Sequence, residues 1–258
     1  MNYKSFNLRQ VEEDLGINAS FIRGQNIPVK NCWHFSTLGS AVEVMFYDES
    51  DFVAGMNRIY VLYCKYQVII LAFALMDTHI HFILYGDYSE CNCFIHEYIR
   101  LPSMEIQRRH GKSKALLSVP VNHQDVDTAD YLKKAICYVC KNAPDAGLPY
   151  ITSDYPWSSA PLYFRNAESW ASPAWIQSTR TESRSDIANK RYLKTRSVGD
   201  MSDVLRCGDI IFPGEYVAID LVERVFRTHK SFNYFISKSR ADDIESRGGI
   251  LSQLSIPI

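Results

Sequence analysis

Short apolar runs alternate with amphipathic stretches along the first two thirds of the chain. QVIILAFAL at 67–75 and HIHFILYG at 79–86 are rich in β-branched and aromatic residues, and a polar break at Asp77 and Thr78 separates them. This pattern predicts an antiparallel hairpin. Upstream, NCWHFST at 31–37 is aromatic and β-prone and predicts a first strand. Between them Phe52, Met56, Ile59, Tyr60 and Tyr63 recur at helical spacing, which predicts a helix over 51–66 capped from residues 48–50. A second helix over 89–109 carries Phe94, Ile95, Tyr98, Ile99, Met104 and Ile106, with Pro102 placed to kink or break it. Residues 115–121 suit a further strand. Asp127 or Thr128 then caps a helix over 129–142, which Pro144 and Gly147 bring to an end.

Residues 1–28 read as a short helical or irregular lead-in. The order that follows predicts an α+β sandwich with helices on one face of an antiparallel sheet. After the segment 154–159 the character changes: a polar tract over 177–200 precedes a helix over 216–228. We read 1–165 as the main domain and 166–258 as a small, mainly helical C-terminal appendage.

Composition narrows the class. With 47% hydrophobic, 13% aromatic and 22% charged residues over 258 positions, the chain can bury a proper core. The apolar run 68–76 is far shorter than the roughly 20 residues of a membrane span, and no apolar signal region opens the chain, so a cytoplasmic location is expected. Seven cysteines without secretory context read as reduced thiols. A net charge of -1 offers nucleic acid no global attraction, so any such binding needs a local basic surface. Arg108, Arg109, Lys112 and Lys114 form one basic cluster, and Lys141 adds a cation on the later helix.

The chemistry-bearing positions lie on the second strand of the hairpin and on the last of these helices. Because strand side chains alternate, His79 and His81 point to one face, and two neutral imidazoles there can share a cation. Alone, the pair also fits two ordinary strand histidines. Tyr138 and Asn142 are four apart and share a helix face, setting a phenol beside an amide oxygen. Two imidazoles and an amide carbonyl leave coordination positions open for phosphate oxygen and water around Mg²⁺ or Mn²⁺.

LMDTHIHFILYGD at 75–87 resembles the histidine-bearing strand of single-tyrosine HUH transposases of the insertion-sequence type. YVCKNAPDAGL at 138–148 resembles the Y-x-x-x-N-P-V-R-A-G-L segment of their relatives, the REP-associated tyrosine transposases, and DYPWSS at 154–159 matches the segment that follows there. The three stand in the family's order. The resemblance implies a ferredoxin-like sheet, His79 and His81 as metal ligands with Asn142 as the amide ligand, and Tyr138 as the nucleophile. It further implies single-stranded DNA substrates containing hairpins, cleaved through a 5′-phosphotyrosine, by a protein that is monomeric or homodimeric. Two departures stand out. Met76-Asp77-Thr78 replaces a common M-P-N, and Asn142-Ala143-Pro144-Asp145 displaces the proline by one and puts an acid where an arginine is expected. A lost cation weakens DNA binding.

Other readings stay open. One is a catalytically inactive, repurposed single-stranded DNA or hairpin-binding protein on the same fold. Another is a metal-dependent phosphoesterase in which Tyr138 is structural. Cys137 and Cys140 have zinc-like spacing without a second pair, and buried thiols are the simpler reading, as for Cys91 and Cys93. Tyr155 and Trp157 suit either base stacking or packing of a segment against the sheet. His34 reads as a sheet residue rather than a third ligand.

Overall fold

The computed structural model describes residues 6–17, 31–39, 44–110, 119–164 and 204–238, the side chains of 101–110 excepted. In chain order these form α1 (Leu8–Asp14), β1 (Cys32–Thr37), α2 (Glu49–Lys65), β2 (Ile69–Leu75), β3 (Ile80–Tyr85), α3 (Tyr88–His110), β4 (Val121–Asp125) and α4 (Ala129–Asp145). A short hairpin of β5 (Arg206–Cys207) and β6 (Ile210–Ile211) and two helices, α5 (Ile219–Phe226) and α6 (His229–Lys238), follow. Strands β1 to β4 make one antiparallel sheet in the order β2-β3-β1-β4.

Every residue of β2 and β3 is buried. Such strands read as continuous apolar runs because both faces need cover. The faces are assigned by alternation along β3. Phe82 packs edge-on against Phe94 and Tyr98 of α3, and Tyr98 in turn donates its hydroxyl to Gly55 O of α2. His81, one residue away and so on the opposite face, meets Tyr138 of α4. Helices therefore cover both faces, not one as the element order alone suggested: α2 and α3 lie on one side and α4 on the other.

Local chemistry sets the element ends. The Asp48 carboxylate caps α2 by accepting from Asp51 N at 3.0 Å, and the Thr128 hydroxyl caps α4 by accepting from Tyr131 N at 3.2 Å. Helix α3 continues past Pro102 to His110. Helix α4 also runs through its proline and stops three residues later than expected, at Asp145. Pro144 lacks the N–H that would reach the Cys140 carbonyl, yet the helix closes beyond it through Leu148 N to Ala143 O and Gly147 N to Pro144 O, with Gly147 at φ 77°. This is a Schellman stop, which asks for a left-handed residue that glycine adopts freely. The last strand of the sheet falls at Val121–Asp125, later than the expected 115–121, of which 115–118 lie outside the described residues.

The segment 204–238 joins the same hydrophobic core as the sheet, with Ile211, Val217, Leu221, Val222 and Phe226 buried in it. Asn57 of α2 holds the β5–β6 hairpin from both sides, donating to Asp209 O and accepting from Ile211 N. Val217 bridges Ile70 on β2, and Ala218 N donates to Ile70 O at 2.8 Å. Farther along β2, Trp157 O accepts from Leu75 N, and Ser159 N donates to Phe73 O. Both attachments engage β2, an edge strand whose spare backbone groups would otherwise lack partners. The polar tract 177–200 lies outside the described residues. No helix among the described residues is long and apolar enough to cross a membrane.

Candidate metal and nucleophile site

The hairpin turn delivers the first histidine. Met76 N donates to His79 O at 2.8 Å, closing the turn at Asp77 and Thr78, and the Asp77 carbonyl accepts from Met45 N and Phe46 N. His79 therefore sits just before β3 begins, and His81 lies within it. Their rings are perpendicular with centroids 5.1 Å apart, and both are buried. Gly39 passes so near that a Cβ there would lie 3.1 Å from both His79 Nδ1 and Thr78 Oγ1.

Helix α4 lies over this face and supplies the other two groups. Asn142 Oδ1 is 2.9 Å from His79 Nε2, and Asn142 is itself buried. One helical turn earlier the half-buried Tyr138 sets its ring at 88° to that of His81, with centroids 5.4 Å apart. His79, His81, Tyr138 and Asn142 thus meet at one place, as expected. The outer nitrogen of His79 is also engaged, by Thr78 Oγ1 at 3.0 Å.

A fifth residue joins them. His34 of β1 puts Nε2 3.2 Å from His81 Nδ1, and its ring centroid is 6.0 Å from that of Tyr138. It is a sheet residue, as its sequence context suggests, but its ring reaches into the site. Alternation could place His34 on a face; which strand lies beside β1, and in what register, needed the pairing itself.

Burial sets the charge state. Desolvation takes His34 from its ordinary 6.5 down to about 4. Desolvation also lowers His79, against opposing contributions from Asn142 and Asp77. His81 falls well below its usual range through desolvation first, then through the proximity of His79 and His34. All three imidazoles are therefore neutral near pH 7, the form that ligates metals.

The donor set fits a divalent cation. Among the described residues His81 Nε2 is buried with no hydrogen-bond partner. The 2.9 Å between His79 Nε2 and Asn142 Oδ1 suits a hydrogen bond and equally suits adjacent ligands of one ion. Two donors at about 2.1 Å in neighbouring octahedral positions stand about 3 Å apart. No group of three or more His, Cys, Asp or Glu is placed to hold a metal ion among the described residues, so a cation here would need the Asn142 amide oxygen beside the imidazoles.

The cations near Tyr138 are matched by acids on the same helix. Lys141 pairs with Asp145 at 3.5 Å, and Lys134, one turn before Tyr138, pairs with Asp130 at 3.3 Å. The side chains of Arg108 and Arg109, and all of Lys112 and Lys114, lie outside the described residues. Cys137 and Cys140 are buried, and desolvation pushes both thiols up, holding them protonated. Cys91 is buried while Cys93 is exposed. Tyr155 donates to Leu75 O at 2.7 Å and Trp157 stacks on Phe52 at 4.9 Å, so both pack the 154–159 segment against its neighbours. Comparison with family models, with curated proteins and with solved structures found no match for the chain.

Proposed function

We propose that the chain is a metal-dependent, single-tyrosine HUH-type enzyme that nicks single-stranded, hairpin-containing DNA and rejoins strands. On this reading the βαββαβ order with strands arranged β2-β3-β1-β4 is a ferredoxin-like sheet. The observation that carries the reading is the meeting of His79 and His81 with Asn142 and Tyr138, with His81 Nε2 left bare and buried. Packing alone gives no reason for that orphaned nitrogen, whereas a ligand role does.

His79, His81 and Asn142 would hold the cation. Mg²⁺ or Mn²⁺, when bound, polarises the scissile phosphate and offsets charge that develops as the phosphorus is attacked. The Tyr138 oxygen forms a bond to phosphorus as the bond from phosphorus to the 3′ oxygen breaks. A 5′-phosphotyrosine and a free 3′ hydroxyl result, the phenolic proton replacing the lost P–O bond on that oxygen through solvent. A phenol with a reference pKa near 10 is a weak nucleophile at neutral pH without such help. The diester character is conserved, so a later 3′ hydroxyl reverses the step without ATP.

A second reading is a repurposed single-stranded DNA-binding protein without chemistry; the Lys141–Asp145 and Lys134–Asp130 pairs and the net charge of -1 weaken attraction to DNA on either reading. One experiment separates the two. Purified protein is incubated with labelled hairpin DNA and Mn²⁺ or Mg²⁺ and run on a denaturing gel beside Tyr138→Phe and His79→Ala. A metal-dependent covalent adduct in the wild type alone supports nicking. Binding with no adduct across a varied hairpin pool supports the second reading, and cleavage that survives Tyr138→Phe points to a water-activating phosphoesterase.

A further inference from the structure

We propose that His34 is a positioning residue that holds His81 in the tautomer with its proton on Nδ1, leaving the Nε2 lone pair to face the metal position. The consequence for metal binding rests on the reading of the site given above; the tautomer itself does not.

The geometry is that of an in-plane hydrogen bond. The pairing register sets His81 opposite Ser36 and Ile83 opposite His34, so the two histidines are diagonal neighbours on one face of adjacent strands. Their ring centroids are 5.4 Å apart, the planes differ by only 27°, and His34 Nε2 stands 3.2 Å from His81 Nδ1. The nitrogens thus meet edge to edge, and one proton lies between them.

Which ring owns that proton follows from the far side of His81. Were His34 the donor, His81 would carry its proton on Nε2, as a buried N–H with no acceptor among the described residues. Were His81 the donor, Nε2 would be a buried lone pair. Among backbone groups orphaned N–Hs are rarer in protein interiors than under-satisfied acceptors, and the same preference carried over to an imidazole favours the second arrangement. It is also the arrangement a cation requires, and outer hydrogen bonds of this kind commonly fix the tautomer of a ligating histidine. Here an imidazole takes the accepting part that a carboxylate or carbonyl usually plays. His79 Nδ1 likewise faces a side-chain oxygen, Thr78 Oγ1 at 3.0 Å, while its Nε2 stands 2.9 Å from Asn142 Oδ1.

The test reads the metal-free protein first. Long-range ¹H–¹⁵N correlation spectra at pH 7 assign the His81 tautomer in wild type, His34→Leu and His34→Gln, and Mn²⁺ affinity is then measured by calorimetry without DNA. The expected result is an Nδ1–H tautomer in wild type and a loss or mixture of it in His34→Leu, with Mn²⁺ affinity reduced about 10- to 100-fold. His34→Gln, whose amide oxygen can accept the same proton, should recover most of both. An Nε2–H tautomer in wild type, or a His34→Leu variant that keeps both tautomer and affinity, overturns the proposal. If His34→Leu fails to fold, the wild-type tautomer and the glutamine variant still decide it. A His34-dependent tautomer and Mn²⁺ affinity without any DNA adduct would uphold this inference and sink only the nicking reading.

Discussion

Three neutral imidazoles packed on one face of the sheet make stability sensitive to mild acid. His34 titrates at about 4 in the fold against an ordinary 6.5, and burial shifts His79 and His81 in the same direction. A base whose folded pKa lies below its unfolded one favours the fold in its neutral form. The contribution is complete above 6.5 and is lost as pH falls from there toward 4. His34 alone implies a loss on the order of 1 kcal/mol by pH 5.5, and His79 and His81 shift it in the same direction. Urea unfolding in the presence of a chelator at pH 7.5 and 5.5 measures this, in a window above most carboxylate titrations; an unchanged midpoint would contradict neutral, buried imidazoles. Asp145 carries a second residue-scale consequence, since it stands where the resemblance expects an arginine and pairs with Lys141. Asp145→Arg should remove the acid paired with Lys141 and add one cation to the helix that carries Tyr138. Single-stranded DNA binding should tighten and its salt dependence steepen by about one unit in log–log slope. A slope equal to that of the wild type would place the DNA path elsewhere.

At the scale of elements, β2 is held by side chains that come from beyond α4. Ser159 Oγ accepts from Phe73 N at 3.0 Å, Ser159 N donates to Phe73 O at 2.9 Å, and Tyr163 donates to Leu71 O. The DYPWSS segment is therefore a clamp along β2, whose partner strand β3 carries His81. Ser159→Ala leaves the buried Phe73 N–H without its acceptor and should cost about 1–3 kcal/mol in denaturant unfolding. An effect below about 0.5 kcal/mol would show that water reaches this edge. The clamp's residues were visible in the sequence as a motif. Packing against the sheet was one of the two roles it suited; which strand it clamps was not visible, because a segment that joins a sheet through isolated bridges has no strand periodicity of its own.

Across the whole molecule, the C-terminal segment does more than append. Tyr216, Val217, Leu221 and Phe226 are buried in the core shared with the sheet, and Phe235 of α6 lies against Lys133 of α4 at 5.3 Å. A chain cut after residue 165 should expose the Ile70 end of β2 and the flank of α4. Loss of so many buried apolar side chains, each worth about 1.5–3 kcal/mol, exceeds the usual stability of a domain. The expected outcome is an aggregated or poorly packed product, read by size exclusion and near-ultraviolet circular dichroism. A monodisperse truncate with native spectra would restore the boundary at 165.

Much of this architecture is written locally. The positions of β1, α2, β2 and β3 and the start of α4 follow from periodicity and cap residues, interactions within a few positions of chain, whereas β4 lies later than its apolar run suggested and α3 and α4 run past the prolines expected to break or end them. The relation of Tyr138 to Asn142 is local in the same sense, since helical geometry fixes it, and His79 and His81 share a face because strands alternate. What local rules leave undetermined is whatever depends on pairing between distant segments. The register of β1 against β3 brings His34 to His81; the fully apolar β2 and β3 admit cover on either face, and only packing assigns α4 to the face opposite α2 and α3. Continuous apolar strands carry no alternation to say which side is which, and that choice is what sets Tyr138 and Asn142 over the two histidines.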